Sequence, residues 1–297
     1  MAAIRIGTRA SALALKQTEM VIDELKKYAP DNTYTIVEMI TRGDRQKEKP
    51  LYEFGGKSAF VEEFENALIS GEIDMAIHSS KDMPMELAKG LTVGGVLKAD
   101  SPRDVLLYKK GKEPSEKGFT IGSSSLRRTS QAGILYPDAK FLSLRGNVNT
   151  RINKLKNGEY DGIILAEAGL SRMGLLSEDG IEYRYFDIEE MIPAAGQGII
   201  AIETGKEGTA FELAAGINDK MSFIRLKYER MALRLLQAGC HEPVGIHLKI
   251  DKNRVSMYGI NDGGCNKKKV VTRNIDSEDN LEQILSDITD ELVREIR

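Results

Sequence analysis

The stretch IGSSSLRRTSQAGILYPDAKFLSLRGNVNTR, residues 121–151, decides how this chain is organised. It has five basic residues and one acidic residue, a local net charge of +4 in a protein whose net charge is −3. Apolar runs at 120–122 and 141–144 predict short strands, each followed by a turn and a helical pattern. Ligands of open α/β sheets bind beyond the carboxyl ends of the strands, where these two turns would lie. A solvated basic face is the plain alternative, but arginine at two successive turns favours a site for carboxylates or phosphates.

Composition limits the kind of protein this is. A chain of 297 residues with 41% hydrophobic and 29% charged residues is typical of a globular protein of two or three domains. The mild acidity argues against bulk affinity for nucleic acid or anionic membranes. The longest apolar runs are too short to span a bilayer, the N-terminus shows no signal-peptide pattern, and two cysteines make no disulfide framework. We therefore expect a cytoplasmic protein without a nucleic-acid or membrane partner, and nothing demands an oligomer.

Strands and helices alternate through the first two thirds of the chain. A strand at 4–8 precedes a helix that Ser11 is placed to cap, and a second strand follows at 34–40. Residues 41–58 have no period and many charges, so we interpret them as a lid. A helix from Phe60 and a strand at 73–78 complete the first unit.

A second α/β unit begins at Asp104. It includes strands at 105–108 and 161–166, and the strand-like run at 193–203 suggests that the chain then crosses back to the first unit. Beyond residue 219 the pattern predicts a helix at 223–237, a hairpin of 244–250 and 254–260, a strand at 269–275 and a helix at 281–296.

Several charged residues fall just after predicted strands, and five of them would converge if the two α/β units face each other: Arg9, Asp82, Arg127, Arg145 and Arg172. A carboxylate after a strand is often a helix cap. Among so many cations, however, Asp82 would stay ionised and could stabilise a developing cation or move a proton.

Cys240 lies in a glycine-containing loop after a helix, with no apolar periodicity to bury it, so a covalent role competes with an inert thiol. The histidines and cysteines show no metal-ligand spacing, and no metal is expected. His78, at the end of an apolar run, is predicted to be a satisfied core histidine. No phosphate-binding glycine loop is present, which disfavours nucleotide cofactors. From these residues alone, an enzyme and a non-catalytic anion-binding protein remain nearly equal alternatives.

Six ordered motifs carry a resemblance that spans the chain to about residue 245. They are GTRASALA from Gly7, HSSKDMP from His78, GSSSLRR from Gly122, LRGNVNTR from Leu144, GQG from Gly196, and Gly239-Cys240. Together they resemble the porphobilinogen deaminase family. The chain departs from the family's usual pattern at Ser58-Ala59, Ser80, Glu167 and Ala238, where Glu167 replaces a small or apolar residue.

The resemblance implies an enzyme, a transferase of haem and porphyrin biosynthesis. It would join porphobilinogen units head to tail, with release of ammonia, into the linear tetrapyrrole hydroxymethylbilane. The implied cofactor is a dipyrromethane held by a thioether to Cys240, and it primes the chain. Asp82 would be the catalytic residue, binding pyrrole N–H groups and stabilising the cation that forms when ammonia leaves.

The remaining site residues are implied by the same motifs. The primer would be bound by Lys81, Ser124, Ser125, Arg127, Arg128, Ala168 and Gly169. The incoming or growing chain would be bound by Arg9, Ser11, Gln17, Arg145, Arg151, Arg172, Gln197 and Gly198. The lid would include Gly55, Gly56 and Lys57.

The fold class expected is α/β. Two doubly wound α/β domains of periplasmic-binding-protein-like architecture would surround a cleft, with a small C-terminal α+β domain that has a three-stranded antiparallel sheet. The predicted boundaries are 1–98 with 194–216 for domain 1, 99–193 for domain 2, and 217–297 for domain 3, which would carry the cofactor-attachment cysteine. The protein is expected to act as a monomer.

Overall fold

The computed structural model describes residues 1–41, 61–239, 242–262, 267–275 and 280–297. The chain divides into two compact units. Unit 1 comprises residues 1–100 and 198–226, and unit 2 comprises residues 101–197 and 227–297. The predicted lid and Cys240 fall outside the described residues. A separate third domain stays a prediction.

Unit 1 is built on a five-stranded sheet in the order β2-β1-β3-β10-β4. Its strands are β1 (Ala3–Arg9), β2 (Thr33–Met39), β3 (Met75–Ser79), β4 (Leu91–Val96) and β10 (Ile200–Gly205). Its helices include α1 (Ala12–Tyr28), α2 (Glu62–Ile69) and α6 (Thr209–Gly216). β1 runs parallel to β2 and β3, whereas β10 is antiparallel to both β3 and β4. The return of the chain to this sheet through β10 confirms the predicted crossing.

Both faces of this sheet are covered. Ile6 and Ile77 pack with Val21 and Leu25 of α1 in one cluster, while Phe64 of α2 packs with Ala76 in another. Neighbouring strand residues therefore point to opposite faces, as the period of two requires. This arrangement places the carboxyl ends of β1, β2 and β3 at one edge of the sheet.

Unit 2 repeats the plan. Its five-stranded sheet has the order β7-β6-β8-β5-β9, from β5 (Asp104–Lys109), β6 (Thr120–Gly122), β7 (Lys140–Leu142), β8 (Gly162–Ala166) and β9 (Ile181–Tyr185). β6 is parallel to β7 and β8, and β5 is antiparallel to β8 and β9. The helices of this part are α3 (Leu126–Leu135), α4 (Val148–Lys156) and α5 (Glu167–Arg172). Ile163 packs with Leu155 of α4 on one face, and Ile164 packs with Ala132 of α3 on the other.

The last part of the chain forms the predicted small sheet. α7 (Lys220–Leu236) leads to β11 (Val244–Asp251), β12 (Arg254–Asn261) and β13 (Lys267–Asn274), which pair antiparallel in that order. The final helix, α8 (Leu281–Ile296), buries one apolar face that includes Leu285, Ile288 and Leu292. The expected fold class, doubly wound α/β with a C-terminal three-stranded antiparallel sheet, is confirmed.

One strand prediction was too long. The run at 193–203 forms a strand only from Ile200, because Gly196 and Gly198 adopt φ of +73° and +89° in turns that precede it. Four elements were not predicted: β4, β9, α5 and α6.

Candidate active site

In unit 1, the predicted site residues lie at the carboxyl edge of the sheet. Arg9 is the last residue of β1, and Ser11 accepts a hydrogen bond from the backbone N–H of Ala14 at 3.3 Å, which confirms it as the cap of α1. Gln17, one turn into that helix, is buried and donates to the hydroxyl of Ser79 at 2.9 Å. The helix is thereby tied to the end of β3.

The HSSKDMP motif spans the end of β3 and the turn beyond it. Residues Ser80–Asp82 form a short 3-10 turn, and the Ser80 hydroxyl donates to the carbonyl of Ile199 at 3.1 Å. Asp82 is exposed and Lys81 is half-buried. Because Arg9 ends β1 and Asp82 follows the parallel strand β3, the fold brings them to the same edge.

Behind this turn lies a buried pair. His78 is 2.8 Å from the Glu203 carboxylate on β10, and the ring also packs edge-on against Phe64. His78 is thus a satisfied core histidine, as its position at the end of an apolar run predicted. Its partner Glu203, 125 residues away in the chain, was not predicted.

In unit 2, the serines of the GSSSLRR motif join two strand-to-helix turns. The Ser124 hydroxyl donates to the carbonyl of Leu144 at 2.8 Å and accepts from its N–H at 3.0 Å. Ser125 is the residue that precedes α3. The turn after β6 and the turn after β7 are therefore adjacent, which follows from the parallel pairing of these strands.

Arg145 lies on the second of these turns and is half-buried. Asn147 caps α4 by accepting from the N–H of Thr150 at 2.9 Å, and Gly146 supplies the φ of +114° that the turn needs. Arg151 donates to the carbonyl of Gly146 at 2.7 Å. The fold thus brings Arg145 and Arg151 together at the carboxyl edge of the sheet.

Arg172 ends α5, the helix that follows β8, and is half-buried. Ala168 and Gly169 lie in the same helix. The edge of unit 2 therefore collects residues from three parallel strands. Convergence of this edge with that of unit 1 in one cleft stays a prediction.

The centre of the unit 2 edge is a buried charge cluster of three residues. Arg127 and Arg128 are only 4% and 7% exposed, and Asp104 is fully buried. The Asp104 carboxylate accepts from the guanidinium of Arg128 at 2.8 Å and forms an ion pair with that of Arg127 at 2.7 Å. Burial, with the nearby Arg128 charge, holds the pKa of the Arg127 guanidinium below its ordinary value despite the pairing with Asp104.

Gln197, a predicted substrate-binding residue, lies beside this cluster and is 1% exposed. Its amide nitrogen donates to the carbonyl of Pro102 at 2.6 Å and to the Asp104 carboxylate at 3.0 Å. Gly198, which follows it, is also buried. Gln197 thus supports Asp104, a residue that the sequence interpretation did not select; the available signal was an acid at the first position of the apolar run Val105-Leu-Leu.

Glu167 forms an ion pair with Arg103. Its carboxylate accepts from Arg103 at 2.8 Å and 3.1 Å and from the Ser101 hydroxyl. Burial alone would raise the pKa of the Glu167 carboxyl, but the hydrogen bonds from Arg103 and Ser101 outweigh it and hold the pKa below its ordinary value. This departure from the family pattern is therefore a charged, fully engaged side chain.

Two further findings concern the described part of the chain. No helix there is long and apolar enough to cross a membrane. No group of three or more histidine, cysteine, aspartate or glutamate side chains in those same segments is arranged to hold a metal ion.

Comparison with known proteins identifies the family. Residues 4–212 match the family model described as porphobilinogen deaminase, dipyromethane cofactor binding domain. The porphobilinogen deaminase of Alkaliphilus metalliredigens is 40% identical over 98% of this chain and 89% of that protein, and that of Lachnospira eligens is 48% identical over 82% and 83%. A solved structure, the periplasmic VFT2 domain of BvgS from Bordetella pertussis, is 16% identical to this chain and superposes with a TM-score of 0.41. The match covers 78% of this chain and 91% of that domain. This chain therefore belongs to the porphobilinogen deaminase family of transferases, which has a dipyrromethane cofactor-binding domain.

Proposed function

We propose that the protein joins porphobilinogen units head to tail, with release of ammonia, into hydroxymethylbilane, starting from a dipyrromethane that Cys240 holds through a thioether. Family membership supports the role in tetrapyrrole biosynthesis. The attachment residue and the reaction itself are proposals.

The observation that carries the proposal is the charge cluster of unit 2. Two nearly buried guanidiniums share one carboxylate, so the cluster has a net charge of +1 in a place from which water is largely excluded. A buried excess charge is costly unless a counter-charge is supplied. Pyrroles that bear acetate and propionate groups are polyanions, and these residues fit such a group.

When bound, the dipyrromethane supplies the pyrrole carbon to which the next ring is joined. The protein binds and orients the carboxylates through Arg127, Arg128, Ser124, Ser125 and Lys81, with Ala168 and Gly169 close to the same edge. Each charge-assisted hydrogen bond contributes roughly 1.5–3 kcal/mol, so a few such bonds are comparable to the stability of a domain.

The incoming and growing chain is bound, in this proposal, by the other residues of the two edges: Arg9, Ser11, Gln17, Arg145, Arg151, Arg172, Gln197 and Gly198. Asp82 acts on the reacting ring. Its exposure leaves the carboxylate accessible to pyrrole N–H groups and to the cation that forms when ammonia leaves.

The deciding experiment is the intact mass of the purified protein compared with that of two single variants, Cys240→Ala and Cys265→Ala. Cys265 is the matched control because it is the second of the two cysteines in the chain. A mass above the sequence value by a dipyrrole adduct, lost in Cys240→Ala and kept in Cys265→Ala, is the expected result. An unmodified wild-type mass that persists after incubation with porphobilinogen would contradict the proposal.

A further inference from the structure

Hydrogen bonds hold one carboxylate oxygen of Asp104, and an ion pair with Arg127 holds the other. One carboxylate oxygen accepts from Arg128 at 2.8 Å and 3.0 Å and from Gln197 at 3.0 Å, and the other is 2.7 Å from Arg127. A fully buried carboxylate with this many charge-assisted contacts is fixed in position.

The backbone of Asp104 is equally well held. It is the first residue of β5, lies opposite Ala166 of β8, and accepts from the N–H of Phe186 at 3.0 Å through its carbonyl. The carboxylate therefore projects from a backbone position that the sheet fixes at the end of a strand. Asp104 is consequently the fixed point of the cluster, and the arginines are oriented by it.

In addition to the Asp104 carboxylate, each guanidinium has a neutral acceptor, a backbone carbonyl. Arg127 donates to the carbonyl of Ile192 at 2.7 Å, and Arg128 donates to that of Ile164 at 3.2 Å. Among the residues that the structure describes, Asp104 is the carboxylate that forms ion pairs with this arginine pair. One positive charge is left for a ligand carboxylate.

The geometry points to Asp104 as an internal counter-anion: a positioning residue that holds Arg127 and Arg128 in place before the primer is bound and shares them with the primer's carboxylates afterwards. This inference rests on the proposed function, because it takes the primer's carboxylates as the second anion. Asp104 and the primer then stabilise the same cations, and each reduces the need for the other.

The test is Asp104→Asn, prepared without primer from a host that cannot make porphobilinogen and then loaded by incubation with porphobilinogen. Removing the carboxylate leaves two buried cations uncompensated in the primer-free protein, which should lower its melting temperature by about 10 °C. In the loaded protein the primer's carboxylates remain, so the decrease should be less than half as large.

The matched control is Asp161→Asn. Asp161 is a half-buried acid of unit 2 that accepts from the Thr120 hydroxyl at 2.7 Å and from the Thr120 N–H at 3.0 Å. Thr120 is the first residue of β6, so this contact lies at the end of the strand opposite to the carboxyl edge. Its loss should lower the melting temperature equally in both forms.

A double variant covers the case in which Asp104→Asn does not fold without primer. Asp104→Asn combined with Arg128→Gln removes one cation together with the acid, so the excess charge returns to +1. Its primer-free form should melt at a higher temperature than that of the single variant, or be recovered folded where the single variant is not.

Equal decreases in the loaded and primer-free forms of Asp104→Asn, or a double variant no more stable than the single one, would overturn the inference. Failure of the proposed function is seen separately. In that case the wild-type protein itself gains no adduct mass from porphobilinogen.

Discussion

The two sheets each have a buried acid on the equivalent strand, but the two acids have different partners. β10 in unit 1 and β5 in unit 2 each lie fourth in their sheet, antiparallel to both neighbours. Each carries a carboxylate that is fully buried, Glu203 in β10 and Asp104 in β5. Glu203 contacts one histidine, whereas Asp104 contacts two arginines.

Their depths along the strands explain the difference. Glu203 lies opposite Ala76, three residues before β3 ends at Ser79, so it is inside the sheet. Asp104 lies opposite Ala166, the last residue of β8, so it is at the edge where ligands of such sheets bind. The same position in the sheet thus gives a buried acid–histidine pair in unit 1 and, in unit 2, a cluster of one acid and two arginines with a net charge of +1.

The largest expected effect is that of Asp82. In unit 1 the exposed Asp82 would take part in the reaction, whereas the buried Glu203 stabilises the fold. Asp82→Asn removes a charge that would stabilise a cation and move protons, so turnover of porphobilinogen should fall by about 10²–10⁴-fold. Since the side chain is exposed, the melting temperature should hardly change. Steady-state kinetics and a thermal melt of the same preparation measure both.

Glu86→Gln is the matched control for that variant. Glu86 is an exposed acid four residues later in the same unit, and its removal should leave turnover near the wild-type value. If the turnover of Asp82→Asn were within a few-fold of that of Glu86→Gln, Asp82 would have no part in the reaction.

Glu203→Gln sharpens the comparison of the two buried acids. One Glu203 oxygen contacts His78, and the other has no hydrogen-bond partner among the described residues, so an amide NH2 group there would be buried and unsatisfied. The free energy of unfolding should fall by about 1–3 kcal/mol. Denaturant titration should give the same decrease with and without primer, in contrast to Asp104→Asn; a decrease confined to the primer-free form would make the two acids equivalent.

Local sequence was sufficient for elements whose signals are local. Ser11 before an apolar period predicted the cap of α1, and the short turn Asp251-Lys-Asn between alternating runs predicted the hairpin of β11 and β12. The C-terminal helix was predicted with its observed bounds because its apolar residues recur with a period near 3.6.

Elements that depend on distant partners were missed. β4 has the sequence LTVGGV, and its glycine pair resembles a turn. A Cβ on Gly95 would lie 2.2 Å from the carbonyl oxygen of Ala214, so glycine is required there by the close approach of α6. Asp104 was missed for the same reason, because its arginine partners are 23 and 24 residues away and only the fold joins them.

The smallest expected effect concerns Glu167. Unlike Asp104 and Glu203, this acid is partly open to solvent, and it forms an ion pair with a single arginine, Arg103. Its pKa lies below the ordinary value of 4.5, so its contribution to stability is present above pH 4.5 and is lost as the pH falls through the folded-state pKa. Glu167→Gln should therefore lower the free energy of unfolding by about 0.5–1 kcal/mol at pH 7, and the difference from wild type should shrink towards zero in acid. Urea titrations at pH 7 and at about pH 3.5 measure it, with Glu159→Gln, which removes an exposed acid 3.8 Å from Lys154, as the control. A difference that persists unchanged in acid would mean that the shape of the Glu167 side chain, and not its charge, holds Ser101 and Arg103.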